Sequence, residues 1–174
     1  MKFYRLTAFS VLILSLSIAG CGYTREAVLP RNIKTIYVDT VKNKVPLDKI
    51  YAYVAGLEMD ITNAIIKRLH EDGNLRVVKH NEADAVLEAN LIGFEQEGVR
   101  FTSLESVEEY RLFIVLELKL LDGRTGEILW EELSFSGDTE YFVSDVRTLA
   151  REKASEEAVI NLARNVVDRI VEDW

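Results

Sequence analysis

A chain of 174 residues with 29 acids against 21 bases carries a formal charge of −8. That balance excludes binding to nucleic acid or anionic lipid by bulk charge, because phosphate recognition needs a basic footprint. A single cysteine excludes an intramolecular disulfide, so the fold must rest on a buried core.

The first twenty residues read as an address and not as part of the fold. Lys2 and Arg5 give a positive start, an apolar run follows from Leu6 to Ser17, and small residues close the segment. This is the layout of a secretory signal peptide. The run is short for a membrane-spanning helix, which needs roughly 20 apolar residues. The series Ile18-Ala19-Gly20-Cys21 resembles the lipobox of bacterial lipoproteins. That resemblance implies cleavage before Cys21, a diacylglycerol on its sulfur and an acyl group on the new amine. An unmodified cysteine after a plain signal peptide is the alternative. Lipidation accounts for an odd cysteine in an exported chain, and several acyl chains on one residue give stable attachment. Gly22, where an aspartate would favour inner-membrane retention, points by the same resemblance to the outer membrane.

The mature chain, residues 21–174, is long enough for one domain with its own core. Without Lys2 and Arg5 it keeps 19 bases against 29 acids. Residues 21–32 read as an extended tether, and residues 33–174 as a single domain. Ile33 to Thr40 alternates with β-branched residues and predicts a strand. Asn43 to Asp48 holds Pro46 and reads as a loop. Val54, Leu57, Ile61, Ala64, Ile65 and Leu69 form one stripe of a helix over about 53–71, stopped at Gly73. Leu75 to Val78 predicts a short strand, Asn81 to Asp84 a turn, and Ala85 to Phe94 a further strand.

Glu95 to Glu109 reads as a polar connection. Tyr110 to Leu121 is the strongest strand, with Tyr110, Leu112, Ile114, Leu116, Leu118 and Leu120 on one face and a partly polar set on the other. Asp122 to Gly126 is a hairpin turn, and Glu127 to Phe135 returns as the last strand with Trp130. A final helix over about 146–171, capped by Ser144 or Asp145, lines up Ala154, Ala158, Val159, Leu162, Val166 and Ile170. Short turns between strands imply a largely antiparallel sheet. The expected fold is α+β, two amphipathic helices packed on one face of a mostly antiparallel sheet of four to five strands.

Catalytic chemistry finds little support. His70 and His80 are the only histidines, and His70 sits where a helix end favours a cation. No metalloprotease His pair, phosphate loop or nucleophile elbow occurs, and the Asp122–Gly126 turn has one acid where a cation loop needs several oxygens. No catalytic residue, metal or cofactor is expected. Between Thr24 and Ile50, six bases against three acids make a locally positive stretch, read as a solvated face in preference to a contact with lipid phosphates near the anchor. The segment Glu97-Gly98-Val99-Arg100-Phe101-Thr102 places a base beside an aromatic at a loop tip. It is read either as a recognition loop or as a hairpin end with Phe101 folded back.

Several pieces, in order, resemble the LptE family of lipopolysaccharide-assembly lipoproteins. They are Cys21-Gly22-Tyr23, Leu29-Pro30, Ile33 to Val38, Ala83-Asp84-Ala85-Val86-Leu87-Glu88, Glu109-Tyr110-Arg111-Leu112, Leu121 to Trp130, Glu140-Tyr141 and Ser144-Asp145. The resemblance implies an outer-membrane protein facing the periplasm, paired with the β-barrel LptD. Such a protein plugs the barrel lumen, assists its folding and contacts lipopolysaccharide. It also makes Arg100 the candidate ligand-binding base, although the flanking residues depart from a basic loop. The competing reading is another adaptor lipoprotein, such as a periplasmic activator of a cell-wall synthase.

Overall fold

The centre of the molecule is the leucine-rich strand. The computed structural model describes residues 33–46, 55–143 and 147–172. In it this strand, β5, runs Val107–Asp122, between β4 (Ala85–Phe101) and β6 (Ile128–Phe142). The three form an antiparallel meander. Four shorter elements precede it: β1 (Thr35–Val38), β2 (Lys42–Asn43), α1 (Leu57–Asp72) and β3 (Arg76–Val77). The chain ends in α2 (Arg147–Glu172). Sheet order is β3-β1-β4-β5-β6, and β2 also pairs with β4. The expected α+β architecture is present, with six strands when the two-residue β2 is counted. The signal peptide, the tether, the first turn foreseen for α1 at Tyr53 and the cap at Ser144 or Asp145 lie outside the described residues.

Pairing at the start of the domain is parallel. β1 lies parallel to β3 and to β4, and β2 parallel to β4. Parallel neighbours need a crossover, and α1 supplies it between β1 and β3. This helix ends at Gly73, whose φ of 77° is left-handed and whose N–H donates to Leu69 O at 3.1 Å. A Thr62 hydroxyl on α1 accepts from Val41 N at 3.0 Å, which ties the helix to the β1–β2 connection.

Leu112, Ile114, Leu116, Leu118 and Leu120 are fully buried on one face of β5. Each such side chain contributes about 1.5–3 kcal/mol on burial. Both helices supply the cover: α2 packs on β6 and β5, and α1 packs on α2. The predicted α2 stripe is buried throughout, joined by Ala163, Val167 and Val171. β4 presents Ala85, Leu87, Ala89 and Leu91 to the same core, and a register shift between Leu91 and Gly93 then turns Phe94 inward.

Two expectations need correction. Residues 95–109 are not a loose connection, since β4 continues to Phe101 and β5 begins at Val107. β6 likewise runs seven residues past Phe135, to Phe142. The β4 extension leaves the cover of the helices, so no buried face imposes alternation on its sequence. The β6 extension stays against α2 through Gly137, Thr139 and Tyr141, a covered face with no apolar stripe to read. Cross-strand backbone pairing holds them, with Glu97 opposite Arg111 and Arg100 opposite Glu109.

The sheet and α2 meet at Gly137. A Cβ there would stand 2.6 Å from Leu162 Cα and 2.7 Å from its nitrogen, which are backbone atoms that cannot rotate aside. Gly137→Ala should therefore destabilise the fold by about 1–3 kcal/mol, read as a lower urea midpoint.

Asp84 joins the parallel and antiparallel halves. Its Oδ2 accepts from Lys34 N at 3.1 Å, Thr35 N at 3.0 Å and Thr35 Oγ1 at 2.8 Å. The backbone donor of Lys34, then the Thr35 hydroxyl, hold its carboxyl below the usual range. A lowered folded value means stability present above about pH 4, the ordinary aspartate range, and lost as pH falls further. Asp84→Asn should lower the melting temperature at pH 7 by a few degrees. The gap to wild type should close as pH falls below about 4 in thermal scans.

Candidate functional site

The long meander gives the molecule two unlike ends. At one end the described chain begins at Ile33, beside Asp84 and the Asp122–Gly126 turn. Gly123 N donates to Asp84 O at 2.7 Å, and Asp122 Oδ1 accepts from Arg124 N and Thr125 N, both at 3.0 Å. Those turn amides, Thr125 first, depress the Asp122 carboxyl. The predicted hairpin turn is thus a closed knot of hydrogen bonds.

The other end is the β4–β5 hairpin tip. β4 has 17 residues, so the tip stands about 50 Å away along the strand at a rise of ~3.3 Å per residue. The turn is closed by its own polar groups. Thr102 Oγ1 accepts from Leu104 N and Ser106 N, both at 3.1 Å. Thr102 N donates to Ser106 O at 2.8 Å, and Glu105 N donates to Thr102 O at 3.1 Å. Around this turn stand exposed apolar side chains: Val99 at 39%, Phe101 at 56%, Leu104 at 86% and Phe142 at 59% exposure.

Arg100 lies within this cluster and is already engaged. Its guanidinium is 3.3 Å from the largely buried carboxylate of Glu109 and 5.4 Å from the centre of the Phe142 ring. The two readings of Phe101 combine. Its ring and the Val107 methyls fill the space over Gly98, yet more than half of the side chain stays exposed. Val99, Leu104 and Phe142 were not foreseen as site residues. Leu104 as an apolar residue in a polar run was the one local signal.

Below the tip, Tyr110 and Tyr141 stack at 5.8 Å on the helix side. Burial pushes the Tyr141 phenol above its ordinary range, against the pull of Arg151. The opposite face of the sheet is laced with cross-strand ion pairs. Arg111 pairs with Glu140, and with Asp138 at 3.6 Å. Lys119 meets Glu131 at 2.7 Å and Glu117 at 3.8 Å. Glu117 also accepts from Asn90 Nδ2 at 2.8 Å, the largest cause of its lowered range, and meets Lys44 at 3.6 Å.

The remaining sequence candidates do not converge. His70 is exposed in the last turn of α1, and His80 packs edge-on against Tyr37 at 5.1 Å. Among the described residues no three His, Cys, Asp or Glu side chains gather as a metal site. Of the locally positive stretch, Lys42 pairs with Asp39 at 3.2 Å. Cys21 lies outside the described residues. Among those residues no helix is long and apolar enough to cross a membrane.

Comparison with known proteins places this geometry. No individually curated protein matches the sequence. Three solved structures share the fold at low identity. A Xanthomonas campestris protein is 15% identical over 82% of this chain and 86% of its own, with a TM-score of 0.59. A hypothetical protein from Chlamydia trachomatis is 13% identical over 79% of this chain and 95% of its own, at 0.53. A minor lipoprotein from Acinetobacter baumannii is 13% identical over 79% of this chain and 90% of its own, at 0.52. The profile of the LptE lipopolysaccharide-assembly family matches residues 33–174, from the start of the described domain to the C-terminus. The chain is a member of the LptE lipopolysaccharide-assembly family.

Proposed function

We propose that this chain is an outer-membrane lipoprotein that plugs the β-barrel LptD and assists its assembly for lipopolysaccharide delivery to the cell surface. The observation that carries the reading is the family match across residues 33–174. In this reading acyl chains on Cys21 hold the protein to the periplasmic leaflet, residues 21–32 are the tether, and residues 33–174 form the plug. It acts through shape and contact, without catalysis and without a cofactor.

Three features support it. The described domain is rigid by construction, with one core sealed by two helices. The meander's length of about 50 Å compares with the 40–45 Å of a bilayer including its headgroups. A plug entering from the periplasm could thus carry the hairpin tip across the lumen. The ion-paired face of the sheet suits a water-filled interior, such as the polar lumen of large barrels. The tip, with Arg100 at its base, is the part proposed to touch lipopolysaccharide.

Depletion in cells should lower LptD and leave lipopolysaccharide at the inner membrane, read by immunoblot and membrane fractionation. Normal surface lipopolysaccharide after depletion would sink the proposal. Recovery of a cell-wall synthase on co-purification, instead of a heat-modifiable barrel, would favour the adaptor reading.

A further inference from the structure

We propose that the hairpin tip engages lipid through hydrocarbon and not through phosphate, by inserting its apolar end among acyl chains. The inference deepens the proposed contact with lipid and rests on that reading for its place in the cell.

Charge argues first. Residues 95–109 hold five carboxylates (Glu95, Glu97, Glu105, Glu108 and Glu109) and a single base, Arg100. That base is held at 3.3 Å by Glu109. A phosphate would have to displace this carboxylate and then face the other acids. The field at the tip therefore opposes anionic groups.

Shape argues second. Phe101 and Val107 cover Gly98 on the side of the ribbon that carries the helices lower down. Phe142 lies opposite Glu109, under Arg100, on the other side. Leu104 stands at the end. Apolar side chains thus stand on both faces of the ribbon and at its end, between the exposed Ser103, Glu105 and Ser106, where a groove on a protein partner would need only one side. A hydrocarbon medium contacts all sides at once.

Backbone chemistry argues third. A turn entering hydrocarbon must satisfy its own amides, because each bare polar group there is costly. The amides of Thr102, Leu104, Glu105 and Ser106 all donate within the turn, two of them to the Thr102 hydroxyl. Glu105 limits the depth, so Leu104 and Phe101 reach the acyl boundary while Phe142, level with Glu109 and Arg100, stays with the carboxylates among headgroups.

The test uses the mature acylated protein in phosphatidylcholine vesicles with bromine on the acyl chains. Leu104→Trp places a reporter at the tip, and wild type gives the background of Trp130 and Trp174. The position-104 emission should be quenched at least twofold. Replacing a third of the lipid with phosphatidylglycerol should weaken the quenching, and adding Phe101→Ser should at least halve it. Absent quenching on vesicles that retain the protein would overturn the inference and leave a protein groove as the tip's partner. Quenching that grows with phosphatidylglycerol would overturn it in favour of phosphate contact. These vesicles hold no barrel. A failure here therefore leaves the barrel reading standing, and loss of LptD on co-purification leaves this result untouched.

Discussion

Five branched side chains on one face of β5 reach complete burial only if another layer lies directly across them. That layer is α2, and it can lie close because Gly137 offers no Cβ where Leu162 brings its backbone against the sheet. The rest of the architecture answers to this contact. α1 is placed by packing on α2, the parallel strands β1 and β3 are placed by the crossover through α1, and the cover stops where α2 stops. A close-packed interior transmits such a constraint because it has little free volume to absorb a shift.

The uncovered part of the meander is where we propose contact with lipid. Once β4 and β5 pass beyond the helices, neither face of the ribbon has a core to join. Its stability comes from pairing between strands and from local closure at Thr102. Apolar side chains in such a place add nothing to a core, yet Val99, Phe101, Leu104 and Phe142 gather there. Exposed apolar clusters of this kind mark contact surfaces. Arg100 organises the cluster by bridging Glu109 and the Phe142 ring.

The ion-paired face behaves differently. Its pairs are solvated, so each is worth little and weakens with salt. Their effect is to keep a broad sheet surface wettable while its partner face stays dry. One side is sealed against α2, the other faces water, and the tip presents hydrocarbon. Each surface has its own chemistry, set by which side of a strand each residue occupies.

Sequence alone determined what depends on local pattern. Alternation along β5 marked its dry face, three- and four-residue spacing marked both helix stripes, Gly73 marked a helix end, and Asp122 to Gly126 marked a turn. The order of short motifs, together with a lipobox-like start, pointed to the family. Tertiary structure decided what depends on neighbours distant in the chain. Parallel pairing of β1 with β4 joins segments about fifty residues apart, and Asp84 earns its role only by reaching Lys34 and Thr35. The extension of β4 was invisible because periodicity records burial and that stretch is held by backbone hydrogen bonds that any side chain permits, and that of β6 because its covered face is Gly137, Thr139 and Tyr141 and not an apolar alternation. Arg100 looked like a free base for the same reason. Its partners, Glu109 and Phe142, come beside it only when three strands align.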